Sequence, residues 1–119
     1  RTDSGLSYFG LRVIERLNAL NMLVDCAHTG HRTSMDAIEA SCAPVIISHA
    51  NAYAVQDNAR NISDELIKAI AANGGVVGTV GFPVFLTWEG QPTLDQFIDD
   101  IAYKADLVGI DYVGIGIDY

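Results

Sequence analysis

Basic residues are scarce in this chain. Seven Lys and Arg stand against fifteen Asp and Glu, giving a formal net charge of −8 over 119 residues. A surface of that sign repels phosphate backbones and anionic headgroups, which argues against nucleic acid and membrane surfaces as partners. Long apolar runs are missing as well. No stretch approaches the roughly 20 residues that cross a bilayer, so no membrane segment is expected. Cysteine is limited to Cys26 and Cys42, and neither belongs to a C-x-x-C pair. Two isolated thiols make no disulfide framework and read as buried, reduced side chains. No Gly-rich loop joins a strand to a helix. Gly114-x-Gly116 lies inside a strand pattern, fails the dinucleotide fingerprint and is left with a packing role. No secretory leader pattern precedes the first helix pattern, which excludes little in a chain that opens on Arg1 rather than Met. The chain opens on Arg1 and stops at Tyr119 directly after a strand pattern, and both ends read as cut.

What is present is a globular composition, with half of the residues apolar. That suits one packed domain but is small for an elaborate site. Helix and strand patterns alternate. Leu11, Ile14, Leu17 and Leu20 recur at helical spacing, followed by a short strand over 22–27. Thr33 or Ser34 can cap a helix running to about Ser41, with Met35 and Ile38 facing inward. Pro44 then precedes the strand Val45-Ile46-Ile47-Ser48. Ser63 followed by Asp64 and Glu65 starts a third helix, which Asn73-Gly74 ends. Residues 75–80 read as the third strand and 81–92 as a loop. Thr93-x-x-Gln96 matches a capping box before a helix whose stripe is Leu94, Phe97, Ile98, Ile101, Ala102 and Ala105. Gly109 closes it, and 112–117 is the fourth strand. Apolar strands alternating with helices predict an α/β fold with a parallel sheet buried on both faces. Two architectures remain open, a doubly wound sheet or half of an eight-stranded barrel.

In both architectures reactive groups gather at the carboxyl ends of strands. Three of the four strands finish on a metal-capable or proton-transferring residue: His28, His49 and Asp118. Side-chain alternation gives His28 the face of Cys26 and Val24, and His49 that of Ile47 and Val45. Asp118 shares its face with Gly116 and Gly114, where the lack of side chains would relieve crowding. In a barrel these faces can all point at the axis. Neutral imidazole is a good zinc ligand, and a nearby carboxylate can relay a proton from water to a leaving amine. A lone strand-end histidine is as readily a hydrogen-bonded structural residue, so pattern alone leaves both readings open. Arg60 lies in the long loop after the second strand, either as a solvated charge or as a bidentate clamp for a carboxylate. His31 reads as a solvated loop residue without a role. Asp25, mid-strand and opposite His28, needs a hydrogen-bond donor that the sequence does not identify.

With these residues in view, the chain resembles the membrane (renal) dipeptidase family of zinc metallopeptidases. The similar blocks are Leu23-Val24-Asp25-Cys26-Ala27-His28, the segment from Ala43 to Ala52 around Ser48-His49, the segment from Ala59 to Leu66 around Arg60, that from Ala71 to Gly78, and that from Leu107 to Asp118. They keep the family's order and spacing and cover nearly the whole chain. The resemblance implies a (β/α)8 TIM-type barrel of the amidohydrolase type, with residues 1–119 forming one partial domain that supplies its fifth to eighth strands. It implies that His28 and His49 bind the same zinc of a binuclear pair. It also implies that Arg60 holds the terminal carboxylate of a dipeptide and that Asp118 is the acid/base residue of attack by a metal-bridging hydroxide. Phe82 and Phe85 fall where the family has aromatic residues lining the site. The family's His-x-Asp pair for the other zinc, its bridging Glu and a further substrate-contacting His have no counterpart here, because the first half of the barrel is absent. After Asp118 only Tyr119 remains of the aromatic-Asp-Gly that usually follows.

The isolated chain is therefore expected to lack dipeptidase activity and to need the N-terminal half of the barrel as its partner. It is also expected to self-associate through unpaired sheet edges. Two other readings are a non-catalytic amidohydrolase-like binding domain, and a small doubly wound phosphate-binding domain. An upstream sequence without His-x-Asp would favour the first, and a strand order without room for closure the second.

Overall fold

A computed structural model describes residues 2–118; Tyr119 lies outside the described residues. Four helix–strand units follow one another. They are α1 (Tyr8–Ala19) and β1 (Val24–Asp25), α2 (His31–Ala40) and β2 (Val45–Ile46), α3 (Asp64–Ala72) and β3 (Val77–Thr79), and α4 (Leu94–Val108) and β4 (Val113–Ile115). The strands are shorter than the apolar runs that encode them. All pairings are parallel. Val24 is in register with Val45, and Val77 with Val113, while a single bridge between Ile47 and Val77 joins the two pairs. The strands thus stand side by side in chain order. The reversal of order that makes a ligand crevice in a doubly wound sheet is absent among the described residues.

Helix starts follow local chemistry, with one exception. Ser7 caps α1, Ser63 caps α3, and Thr93 with Gln96 forms the expected capping box on α4. The start of α2 differs from the expected Thr33 or Ser34. The helix begins at His31 behind Gly30, which has no side chain to offer. Asp3 takes over from a distance, accepting from the Arg32 N–H at 2.6 Å and the Thr33 hydroxyl at 2.6 Å. Ser34 is instead buried in the first turn and donates to the Gly30 carbonyl at 2.9 Å. A cap supplied from another segment cannot be read from local sequence.

The core lies between the sheet and the helices. Val24, Cys26, Val45, Ile47 and Val77 pack with Ile14 of α1, Ala37 of α2, and Leu66 and Ile70 of α3. Each fully buried branched side chain contributes about 1.5–3 kcal/mol. Cys26 is buried as expected, and burial raises its thiol pKa; Cys42 is exposed, and both are free.

The inward face of α4 carries charge. Asp100 and Lys104 are fully buried and paired at 2.7 Å, while Leu94 (72 % exposed), Ile98 (48 %) and Ala102 of the expected apolar stripe face outward. Asp100 accepts from the Ala52 N–H at 2.7 Å and the Thr79 hydroxyl at 3.0 Å, and Lys104 donates to the Ala50 carbonyl at 2.9 Å. Desolvation lowers the Lys104 pKa and the Asp100 carboxylate opposes it, with a net downward shift. The pair fastens α4 to the chain immediately after His49. At the outer margins Tyr8, Phe9, Leu23, Ile110 and Ile115 are exposed apolar side chains.

Candidate metal centre

The three strand-end residues meet. Nε2 of His28 lies 2.9 Å from Nε2 of His49, and the latter lies 3.5 Å from Oδ2 of Asp118. One donor atom from each falls within 4.8 Å of the others, and this is the one such His/Cys/Asp/Glu group among the described residues. The donor set, two imidazole nitrogens and a carboxylate oxygen, is one that zinc accepts. Two nitrogens held at ~2.1 Å by one tetrahedral ion stand roughly 3.4 Å apart, a small widening of the Nε2–Nε2 separation seen here. The residues present fit a divalent metal.

The route by which they meet is not simple alternation. The faces of Val24 and Cys26, and of Val45 and Ile47, pack against helices. His28 leaves that face because the chain turns after Cys26, with the Thr29 N–H bonding the Cys26 carbonyl at 3.2 Å, and His28 itself takes a left-handed φ of +61°. Asp118 has φ +62°. A positive φ is uncommon outside glycine and concentrates at functional sites. Two of the three cluster residues therefore reach the centre through local backbone strain. Gly78 of β3 and Gly116, just past β4, do make room: a Cβ on either would collide with the Ser48 carbonyl oxygen.

Asp25, which the sequence placed opposite His28, stands beside the cluster. Its Oδ1 accepts from the N–H of Ala27 at 2.9 Å and of Ser48 at 3.1 Å. Partial burial pushes its carboxyl up, but hydrogen bonds from Ser48 and Ala27 and the nearby His49 outweigh this, and its pKa lies below the usual value. Ser48 Oγ is 2.9 Å from Nδ1 of His49. From the sequence Asp25 had only a hydrogen-bonding role without a named partner, and Ser48 had none. The register of Asp25 with Ile46 in adjacent parallel strands is the signal that could have found them.

Arg60 also arrives at the centre. Its Nη2 is 3.3 Å from Nε2 of His28, and its guanidinium lies 5.4 Å from the Phe85 ring centroid. Asparagines position this loop. Asn58 accepts from the Arg60 N–H at 2.9 Å and donates to the Val84 carbonyl at 2.8 Å, while Asn61 donates to the Phe85 carbonyl at 2.9 Å. Phe85 packs on Phe82 with centroids 5.0 Å apart, and Phe82 is itself 46 % exposed. A cleft of about 480 Å³ opens beside the cluster, lined by His28, His31, Tyr53, Arg60, Ile62 and Ser63 among others. His31 is exposed, as the sequence suggested, with Nδ1 3.3 Å from Ser63 Oγ. No helix among the described residues is long and apolar enough to cross a membrane.

Comparison with known proteins bears on this arrangement. The family model for membrane dipeptidase, peptidase family M19, matches residues 1–119. An uncharacterized dipeptidase of Schizosaccharomyces pombe is 37 % identical over 98 % of the chain, and dipeptidase verJ of Clonostachys rogersoniana is 35 % identical over 97 %. The chain spans 29 % of each of these relatives. Among solved structures, an amidohydrolase from Pseudomonas aeruginosa superposes over the whole chain and 37 % of its own length, with TM-score 0.95 and 37 % identity. A Rhodobacter sphaeroides metallopeptidase, liganded with a phosphinate mimic of the dipeptide L-Ala-D-Ala, superposes over 99 % of this chain and 35 % of its own (TM-score 0.93, 28 % identity). The α/β fold is that of these enzymes, and the chain belongs to the membrane dipeptidase family, M19.

Proposed function

We propose that this chain is the fifth-to-eighth-strand half of a (β/α)8 barrel and carries one side of a binuclear zinc dipeptidase site. The observation that carries the reading is the convergence of His28, His49 and Asp118 from three strand ends, with Arg60 reaching the same point from a loop. His28 and His49 would hold one zinc through Nε2. Zinc in this position supplies Lewis acidity toward a carbonyl oxygen and acidifies water.

The chain's own groups supply the rest. The Asp118 carboxylate, 53 % exposed at its side chain and 3.5 Å from His49, would take a proton from water and return it to the departing amine. Arg60 offers a planar fork of N–H donors to the free carboxylate of a dipeptide. The phosphinate dipeptide mimic on the Rhodobacter sphaeroides relative fits that substrate class. The single lone pair on Nε2 of His28 cannot serve Arg60 and a cation together. With a cation held on that lone pair, the Arg60 guanidinium would be free for the substrate carboxylate. The His-x-Asp pair and the bridging Glu of the complete centre would come from the remainder of the protein, and this chain alone has no dipeptidase activity.

The test is metal content and dipeptide hydrolysis of the intact protein with His28→Ala and His49→Ala. Each variant should bind less zinc and lose turnover. Full zinc content and wild-type turnover in both would contradict the assignment.

A further inference from the structure

We propose that Asp25 is a positioning residue that sets the mutual placement of the two histidines by bridging the backbones that precede them. The inference rests on the reading of His28 and His49 as a metal pair. One carboxylate oxygen, Oδ1, accepts from Ala27 N–H and Ser48 N–H, the residues immediately before His28 and His49. The bond to Ala27 closes an ordinary local turn. The bond to Ser48, 23 residues away in sequence, is not local and does different work.

The strand ladder shows what that work is. β1 and β2 pair as far as Asp25 and Ile46, and the last ladder bond runs from Cys26 N–H to the Ile46 carbonyl at 2.8 Å. Beyond it the two segments run on to His28 and His49. The Asp25 carboxylate continues the coupling past the end of the ladder. Ser48 is held on its other side too, because its carbonyl oxygen sits against Gly78 and Gly116, where no Cβ fits. With its N–H and carbonyl both fixed, Ser48 can present Oγ to Nδ1 of His49 at 2.9 Å and leave Nε2 facing Nε2 of His28. Partners of this outer kind orient ligating imidazoles, and losing one typically weakens metal binding about 10–100-fold.

The placement reading makes a prediction that a simple charge effect does not. Asp25→Asn keeps an oxygen of the same shape at the same point, whereas Asp25→Glu keeps the charge and moves the oxygen by one methylene. Zinc affinity of the intact protein, measured by competition with a chelator, should stay within about threefold of wild type in Asp25→Asn. It should fall about tenfold or more in Asp25→Glu, with a changed visible absorption spectrum of the cobalt(II) form. The reverse order, equal losses, or wild-type affinity in Asp25→Glu would overturn the proposal. Should Asp25→Glu fail to fold, Asp25→Ala, which removes the acceptor from both N–H groups, carries the test through the same cobalt spectrum, and an unchanged spectrum there overturns it. His28→Ala and His49→Ala separate the two claims. If both bind zinc normally, the metal reading falls; if they lose it but the Asp25 pattern is missing, only the positioning claim falls.

Discussion

His28 and Asp118 show how a single residue can set the geometry of a site. Each takes a left-handed backbone, and at His28 the turn after Cys26 carries the side chain off the face that Val24 and Cys26 share. Alternation along β1 points the Val24 face at the helices, so a strict strand would have buried His28 there. The sequence therefore singled out three residues that do come together, through an incomplete argument. It read the strand ends correctly, and could not see that a turn after Cys26 makes the meeting possible. The more distant donor to Asp25, Ser48, could not be named from the sequence because it belongs to another strand. Arg60 carries the prediction at this scale. Arg60→Ala should cost about 2 kcal/mol in kcat/KM for dipeptides, roughly thirtyfold, through the loss of a charged hydrogen-bond donor pair. The loss should be much smaller for substrates with an amidated carboxyl end. Equal losses on free and amidated dipeptides, in steady-state kinetics of the intact protein, would remove Arg60 as the carboxylate clamp.

Among the elements, α2 and α4 depart most from the sequence reading, and both do so because a partner lies far along the chain. The cap of α2 is Asp3. The hydrogen bond from the Thr33 hydroxyl comes first in holding its carboxyl below the usual 3.8; desolvation opposes it, and N–H groups of Gly5, Thr33 and Arg32 add to the lowering. A carboxyl lowered by folding stabilises the fold above its unfolded value and loses that contribution as pH falls through the folded value. Asp3→Ala should thus lower the melting temperature at neutral pH, and the two proteins should converge in acid. A gap that persists unchanged at the acid end would show that the cap does not depend on the carboxylate. In α4 the apolar pattern is real but points outward, and the buried contact is the Asp100–Lys104 pair. Lys104→Met leaves a buried carboxylate without its cation and should cost about 3–5 kcal/mol in denaturant unfolding. Adding Asp100→Asn removes the stranded charge and should recover about 1–2 kcal/mol. A double variant no more stable than Lys104→Met would contradict that account of the pair. Periodicity could not have found this pair, because two charges four residues apart usually lie on a solvated face.

At the scale of the whole molecule, helix–strand alternation was enough to specify a parallel α/β fold, and the structure adds that the strands stand in chain order. Strand order was not legible because it depends on pairings between distant segments. The exposed Leu94, Ile98, Ile110 and Ile115 at one margin and Tyr8, Phe9 and Leu23 at the other are apolar surface of the kind that a covering neighbour buries. On its own the 119-residue chain should self-associate through these margins. A sharp monomer in sedimentation velocity that also melts cooperatively would argue that the half-barrel closes on itself. The central claim concerns the two imidazoles, and the most direct measurement is anomalous diffraction at the zinc edge from crystals of the intact protein. The account predicts one zinc peak ~2.0–2.1 Å from Nε2 of both His28 and His49, with Asp118 beside it; no peak there, or two histidines bound to different ions, would contradict it.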